Sequence, residues 1–319
     1  MAVYTEVTDE ALTQFLSLYD IGGLTAFRGI AEGVENSNYA LKTSRGDFIL
    51  TLYEKRVNKE DLPYFLGLME HLRGQGLACP LPVRARDDRA LQELAGRMAA
   101  ITTFLPGVWP RQIKQAHCAP LGAALARLHL AGQGFTMTRH NGLGPDAWSG
   151  LLEKSLPTAD NVLAGLGQEL QDWLADILAA WPRDLPVGQI HADLFPDNVF
   201  FLNDEISGLI DFYFACTDIL VYDIAVCLNA WCFDNHSELN VTRSRALLRG
   251  YQSVRPLSDA EIEALPILAR GAAMRFLLTR LYDWLHTPAG AMVTRKDPLD
   301  YYRRLRFHFA VSGASAYGL

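Results

Sequence analysis

The chain has 319 residues, half of them hydrophobic and a fifth charged, with 29 Lys and Arg against 36 Asp and Glu. This composition excludes disordered, fibrous and coiled-coil classes, and the length suffices to bury a core without disulfide or metal staples. A net charge of −7 with no run of Lys or Arg argues against a nucleic-acid or anionic-membrane partner.

At ~150 residues per domain, two domains are expected. The N-terminal 15 residues carry no basic or apolar region of the kind a signal peptide needs. Thr8 caps a first helix with Asp9 and Glu10 in its first turn and Leu12, Phe15, Leu16 and Tyr19 as its stripe. Asp20-Ile21-Gly22-Gly23 stops it. Strands follow at 24–30, 38–43 and 48–54, the last two forming a hairpin around Ser44-Arg45-Gly46-Asp47. A helix at 61–73 comes next, then a hairpin of 81–86 with 90–94 turned by Asp87-Asp88, then a last strand at 98–104. The first 104 residues thus read as a largely antiparallel sheet with one inserted helix.

Leu105-Pro106-Gly107 reads as an interdomain hinge, dividing the chain into 1–104 and 105–319. Beyond it the pattern is mostly helical. Leu121, Leu125 and Leu128 mark one helix, and Leu170, Leu174, Ile177, Leu178 and Trp181 another. Ser258 to Glu261 forms a capping box opening a third; Pro266 should kink or end it, with a long helix resuming at 267–286. Inside this half, 199–202 and 206–210 make a small hairpin across Asn203-Asp204-Glu205. Cys79, Cys118, Cys216, Cys227 and Cys232 are odd in number, widely spread and lack a Cys-x-x-Cys pair, which predicts reduced, buried thiols. The longest apolar stretch, 219–233, is interrupted by Asp223 and Asn229 and is too short to span a bilayer. These features predict a cytoplasmic enzyme of α+β class.

The chemistry lies in His191-Ala192-Asp193-Leu194-Phe195-Pro196-Asp197-Asn198, an H-x-D-x4-N pattern, followed by Asp211 in Ile210-Asp211-Phe212. These residues flank the small hairpin, as a kinase catalytic loop and its metal-binding Asp do. The hairpin brings Asn198 and Asp211 together, where their oxygens can face Mg²⁺. Asp193, on the loop entering the hairpin, is placed to accept the proton of an attacking hydroxyl. His191 braces that loop, and Asp223 is a buried acceptor tying it down. In the sheet half, the loop from Gly29 through Gly33 to Asn36 and Asn38 can cradle the phosphates of ATP with backbone N–H groups. The strand end at Thr103, Phe104 and Leu105 offers backbone groups to adenine.

Two departures from a protein kinase stand out. Thr51 occupies the third-strand position where a Lys is usual; Lys42 and Lys55 are candidate substitutes that read better as solvated surface charges, and Glu70 or Glu60 is a candidate partner on the helix. Tyr213 rather than Gly follows Asp211-Phe212, and Asp223 comes too soon for an activation segment. The acceptor is therefore a small molecule.

HADLFPDN with IDF resembles the aminoglycoside and choline (APH-type) kinases. Gly33-x-Glu35-Asn36-x-Asn38-Tyr39, the stretch 48–54, Asp61-Leu62-Pro63-Tyr64-Phe65, HADLFPDNVFF and LIDFYFACTDILVYDIAV are similar to the bacterial homoserine kinases of that superfamily. The similarity runs over almost the whole chain. It implies a bilobal, protein-kinase-like fold and phosphorylation of L-homoserine by ATP and Mg²⁺, a step towards threonine. Asp193 would then be the base, Asn198 and Asp211 the metal ligands. The absent third-strand Lys is usual in that family. Tyr213, Asp218, Asn229 and Trp231 are candidates for the homoserine site. Choline, aminoglycoside or methylthioribose acceptors, and a non-catalytic nucleotide-binding role, stay open, as does the oligomeric state.

Overall fold

The computed structural model describes residues 5–30, 36–54, 57–234, 237–287 and 295–319. Helix α1 (Asp9–Leu16) begins under Thr8, whose hydroxyl accepts the Ala11 N–H at 3.2 Å. Strands β1 (Leu24–Gly29), β2 (Ser37–Thr43) and β3 (Gly46–Leu52) precede helix α2 (Leu62–Gly74). Strands β4 (Pro82–Val83), β5 (Gln92–Leu94) and β6 (Arg97–Thr103) complete an antiparallel sheet of order β1-β2-β3-β6-β4, with β5 also on β6.

The hairpin expected between 81–86 and 90–94 does not form; β4 and β5 each pair with β6 instead. The reversal falls at Ala95 and Gly96, both at positive φ, which suits the twist of a two-residue β-turn. The 87–92 segment is a loop knotted by its own side chains. There the Asp87 carboxylate accepts from Arg89 Nε at 2.8 Å and Gln92 Nε2 at 2.9 Å.

Strand register gives the sheet two chemically distinct faces. Tyr39, Leu50 and Ile101 lie abreast on one face and pack with Leu12, Phe15 and Leu16 into a small core. The opposite face carries Arg28, Ala40, Ile49 and Thr102 in one cross-strand row and Asn38 and Thr51 in the next. This face is more polar because it lines a cavity.

The second half holds α3 (Gln115–Ala131), α4 (Pro145–Ala159), α5 (Leu166–Ala179), β7 (Val187–Ile190), the hairpin β8 (Val199–Leu202) and β9 (Glu205–Leu209), and β10 (Cys216–Ile219). It ends with α6 (Leu220–Trp231), α7 (Val241–Gln252), α8 (Asp259–His286) and α9 (Leu299–Ala310). Strands β7 and β10 pair with each other, directly before the catalytic-loop segment and directly after the 211–214 turn. Helix α6 is buried along its whole length. The larger core gathers around it and includes Leu62, Tyr64, Phe65, Leu68 and Leu72 of α2. The helix inserted in the sheet thus packs on the helical half. Arg139 reinforces that union: its Nε donates to Asp61 Oδ2 at 2.7 Å and its guanidinium lies 4.9 Å over the Phe65 ring.

Pro266 does not end α8, which runs unbroken from its Ser258–Glu261 capping box to His286. Burial of both flanks, Leu265 and Leu268 through Leu281, offsets the one backbone bond that Pro removes. The 106–108 segment is not free-standing either. Val108 exchanges two backbone hydrogen bonds with Phe201 of β8, at 3.0 and 2.9 Å. Gly107 has φ +127°, and a Cβ there would lie 2.9 Å from the Phe201 carbonyl oxygen. All five cysteines are free and buried. Among the described residues no helix is long and apolar enough to cross a membrane.

Helices α3 and α7 touch backbone to backbone. A Cβ on Gly122 would sit 2.0 Å from the Leu247 carbonyl oxygen, and one on Gly250 2.1 Å from that of Ala119. Both oxygens belong to rigid helices, so the clash cannot be relieved by a rotamer. Gly122→Ala is expected to lower the urea midpoint, with a loss of ~1–3 kcal/mol or more. An unchanged midpoint would show that the helices can separate freely.

Candidate active site

The H-x-D-x4-N segment runs from the end of β7 into β8 and is held from beneath. The Asp223 carboxylate on α6 is wholly buried and accepts two consecutive backbone N–H groups. Its Oδ2 takes His191 at 2.7 Å and its Oδ1 takes Ala192 at 2.8 Å. His129 Nε2 lies 3.3 Å from the same Oδ2, and Tyr251 meets His129 Nδ1 at 2.7 Å. Burial alone would push the Asp223 carboxyl up, but His129 and the backbone donors outweigh it and hold it below the ordinary range. It stays ionised, and a charge so deep requires this set of partners.

Ala192 adopts φ +61°, a conformation rare outside glycine. Its N–H is held by Asp223 and its carbonyl by Arg275 Nη1 of α8. Clamped at both ends, the residue turns Asp193 towards the cavity that separates the sheet from the helices. His191 spans the gap to the other side of the hairpin, its Nε2 facing the Ile210 carbonyl at 2.9 Å while Nδ1 accepts the Asp193 N–H at 3.3 Å. Burial lowers its pKa, so the ring is neutral and the Nε2–H tautomer fits both bonds.

Asn198 Nδ2 donates to the Asp193 carbonyl at 2.8 Å and to Asp193 Oδ2 at 3.3 Å, which leaves its Oδ1 as an acceptor. Ile210 N–H bonds the Asn198 carbonyl at 3.0 Å, closing the hairpin's open end. Asp211 follows at φ +63°, solvent-exposed on the cavity wall. Asp193, Asn198 and Asp211 therefore meet on one cavity. Among the described residues no cluster of three His, Cys, Asp or Glu could hold a metal alone. One amide oxygen and one carboxylate fit Mg²⁺, which takes few protein oxygens and completes its shell with phosphates and water. Burial pushes the Asp193 carboxyl above the ordinary range, with Arg275, then His191 and Lys296, pulling the other way.

On the sheet side, Asn36, Asn38, Thr51, Thr103, Phe104 and Leu105 all line the cavity. Gly29 does not, and Gly33 lies outside the described residues, as does Lys55. Thr51 donates to Asn38 Oδ1 at 2.8 Å, a neutral pair where a Lys–Glu ion pair was the alternative. Lys42 shares the face but sits beside Asp47 at the hairpin end, away from the cavity; Arg28 lines it. Glu70 is held by Arg84 at 2.8 Å on the surface. The Thr103 N–H bonds Leu81 and that of Phe104 bonds Asp47, so these two donors are taken within the fold.

Three of the four expected substrate residues are placed elsewhere. Asn229 is interior, bonded to the Ala225 and Ala269 carbonyls and to His308. Trp231 is interior too, its indole N–H bonding the Leu194 carbonyl at 2.8 Å and so bracing the catalytic loop from behind. Asp218 accepts from Asn141 at 2.7 Å and does not reach the cavity. Each is explained by hydrogen bonding within the fold. Tyr213 alone lines the cavity, packed edge-on against Tyr53 and Phe65. Sequence reasoning missed His129, Arg139 and Arg275. Arg275 had a signal, being a lone charge within the small and apolar run 271–278.

A sheet and a helical half facing one cavity, with an H-x-D loop and a second carboxylate across a short hairpin, define a phosphotransferase. Solved structures share that architecture. An amicoumacin kinase bound to AMP-PNP and Ca²⁺ superposes with a TM-score of 0.74 at 15% identity, covering 96% of this chain and 94% of its own. A spectinomycin phosphotransferase gives 0.68 at 13%, covering 98% and 97%. The model of the phosphotransferase enzyme family matches residues 26–257. Homoserine kinases from Gluconacetobacter diazotrophicus and Acidiphilium cryptum are 68% and 67% identical over the full length of both chains. The chain belongs to the phosphotransferase enzyme family and, within it, to the homoserine kinases.

Removing one Asp223 oxygen tests the clamp. Asp223→Asn leaves a backbone N–H of the loop facing an amide that is also a donor. A stability loss of ~1–3 kcal/mol is expected, with kcat reduced at least as much as stability at 25 °C. Wild-type kcat in this variant would show that the loop holds its shape without the carboxylate.

Proposed function

We infer that this chain transfers the γ-phosphoryl group of ATP to the side-chain hydroxyl of L-homoserine, giving O-phospho-L-homoserine and ADP, a step towards threonine. Two observations support the reading: Asp193, Asn198 and Asp211 share one cavity wall, and homoserine kinases match the chain end to end. The division into a nucleotide-binding lobe at 1–104 and a catalytic lobe at 105–319 belongs to the same reading; the small core between α1 and the sheet lies wholly in the first lobe, while the larger core takes in α2 and crosses the boundary.

In this mechanism Asp193 accepts the hydroxyl proton as the hydroxyl oxygen bonds to the γ-phosphorus. The bond to the bridging oxygen breaks and ADP leaves with the electron pair. Asn198 fixes the rotation of the Asp193 carboxylate through its Nδ2, and Arg275 fixes the backbone that carries it. Asn198 and Asp211 would hold Mg²⁺, which when bound would neutralise charge on the phosphate oxygens. Asn36, Asn38 and Thr51 face the nucleotide from the sheet.

An ADP-release assay against a panel of hydroxyl acceptors tests the substrate, with homoserine expected to exceed choline, aminoglycosides and methylthioribose. Asp193→Asn should lower kcat by ~10²–10⁴. A variant as fast as wild type would remove Asp193 from proton transfer. Asp211→Ala should abolish Mg²⁺-dependent ATP binding, read by calorimetry with and without EDTA.

The pH profile follows from burial of Asp193. A base works only when deprotonated, so kcat is retained above its pKa and lost as pH falls through it. With that pKa raised, the acid limb should lie above the range of an ordinary carboxylate. Arg275→Met removes the largest opposing cation, and the limb should move to still higher pH. A limb that stays put would mean that another group controls it.

A further inference from the structure

The cavity continues past Asp193 along one face of α8, where Arg275, Phe276, Thr279, Arg280 and Asp283 recur at helical spacing. Two arginines on this face differ in what they hold. Arg275 donates to the Ala192 carbonyl and stacks on Phe276 at 4.5 Å. Arg280 is only 14% exposed, yet among the described residues its nearest carboxylate oxygen is Asp300 Oδ2, at 3.8 Å. That is outside hydrogen-bonding range, and Asp300 also faces Arg303 at 3.3 Å.

The surroundings make Arg280 more exceptional. Its guanidinium lies 4.4 Å over the Tyr301 ring, and that of Arg304 lies 4.6 Å over the same ring. A ring face attracts a cation but satisfies none of its five N–H donors. Burial and the neighbouring Arg304 both work against its charge, while Asp300 and Asp297 favour it. Nearby, the Tyr301 hydroxyl and Arg304 Nε are buried with no hydrogen-bond partner among the described residues. Arg304 itself is held by the Asn229 carbonyl and is not on the cavity wall. Lys296 and Arg295 are exposed. A cation only 14% exposed on a cavity wall, with no carboxylate within hydrogen-bonding range among the described residues, is a site for an anion.

We propose that Arg280 anchors the carboxylate of the amino-acid acceptor by a two-pronged hydrogen bond. The inference rests on homoserine being that acceptor. The span is suitable. Arg280 lies five residues beyond Arg275, or ~7.5 Å along the helix axis. Four bonds of ~1.5 Å separate the homoserine hydroxyl oxygen from its carboxylate carbon, an extended reach of ~5 Å. With the carboxylate on Arg280, the hydroxyl can reach the loop that Arg275 holds. Arg280 is then a specificity-determining residue, because it rewards an acceptor that carries a carboxylate and leaves a buried charge unpaired with one that does not.

The experiment compares homoserine with 3-amino-1-propanol, which is homoserine without its carboxylate, in wild type, Arg280→Met and Arg280→Lys. Wild type should prefer homoserine strongly. Arg280→Met should lose ~10²–10³-fold in kcat/KM for homoserine and little for aminopropanol, so that the preference collapses. KM for ATP should stay within ~3-fold. Arg280→Lys keeps the charge but not the fork, and should lose ~10-fold, chiefly in KM for homoserine. An equal loss with both acceptors would mark Arg280 as structural and overturn the proposal. Should Arg280→Met fail to fold, an unchanged homoserine KM in Arg280→Lys would overturn it alone. A wild type that uses homoserine while the preference is unmoved in the variants defeats this inference and spares the function. A wild type inactive on homoserine defeats both.

Discussion

A single buried carboxylate organises this molecule. Asp223 sits in α6, a helix buried along its whole length, and both of its oxygens serve the backbone of the catalytic loop. An ion at that depth is unstable without compensation, and compensation defines what must surround it. It requires His129 from α3, which in turn requires Tyr251 from α7. Helices α3 and α7 bring those side chains within reach because they cross on Gly122 and Gly250. A glycine contact far from the cavity thereby shapes the loop that carries Asp193.

The loop pays for its position in backbone strain. Ala192 and Asp211 both occupy the left-handed region, one on each side of the hairpin. Such conformations persist when neighbours fix both sides of the residue. For Ala192 those neighbours are Asp223 and Arg275; Trp231 and His191 brace the adjoining segments. Most polar groups around Asp193 thus hold geometry rather than act on a substrate. This explains why Asn229 and Trp231, close to the motif in sequence, proved to be interior supports.

The hairpin of β2 with β3, the small hairpin of β8 with β9 and the H-x-D-x4-N segment were legible in the sequence because each is local. Alternation, turn residues and a fixed spacing encode them within about 25 residues. The 81–94 region misled because Asp87-Asp88 looks like a hairpin turn, while the true reversal at Ala95-Gly96 lies one strand later. Pro266 misled because tertiary burial overrode a local breaker. Strands β7 and β10 were missed because each is four residues long and pairs across 26 residues. Arg139, His129 and Arg275 could not be assigned from spacing, since these partners lie 78 to 94 residues away.

Net charge was the least informative sequence feature for the site. A chain of −7 must accommodate two anions, a nucleotide and an amino-acid carboxylate. It does so by position. At the nucleotide end the sheet face offers Asn36, Asn38 and Thr51, and Asn198 and Asp211 are placed where a metal ion would supply the compensating charge. At the far end of the cavity, Arg275 and Arg280 project from one helix, and a single ring spaces Arg280 from Arg304. Desolvation makes each of these charges act more strongly than a surface lysine would, because little water screens it. The same burial makes an unfilled guanidinium costly, so it favours the ligand that fills it. Selectivity for a carboxylate-bearing acceptor then follows from where a few cations are buried, and the total charge does not register it.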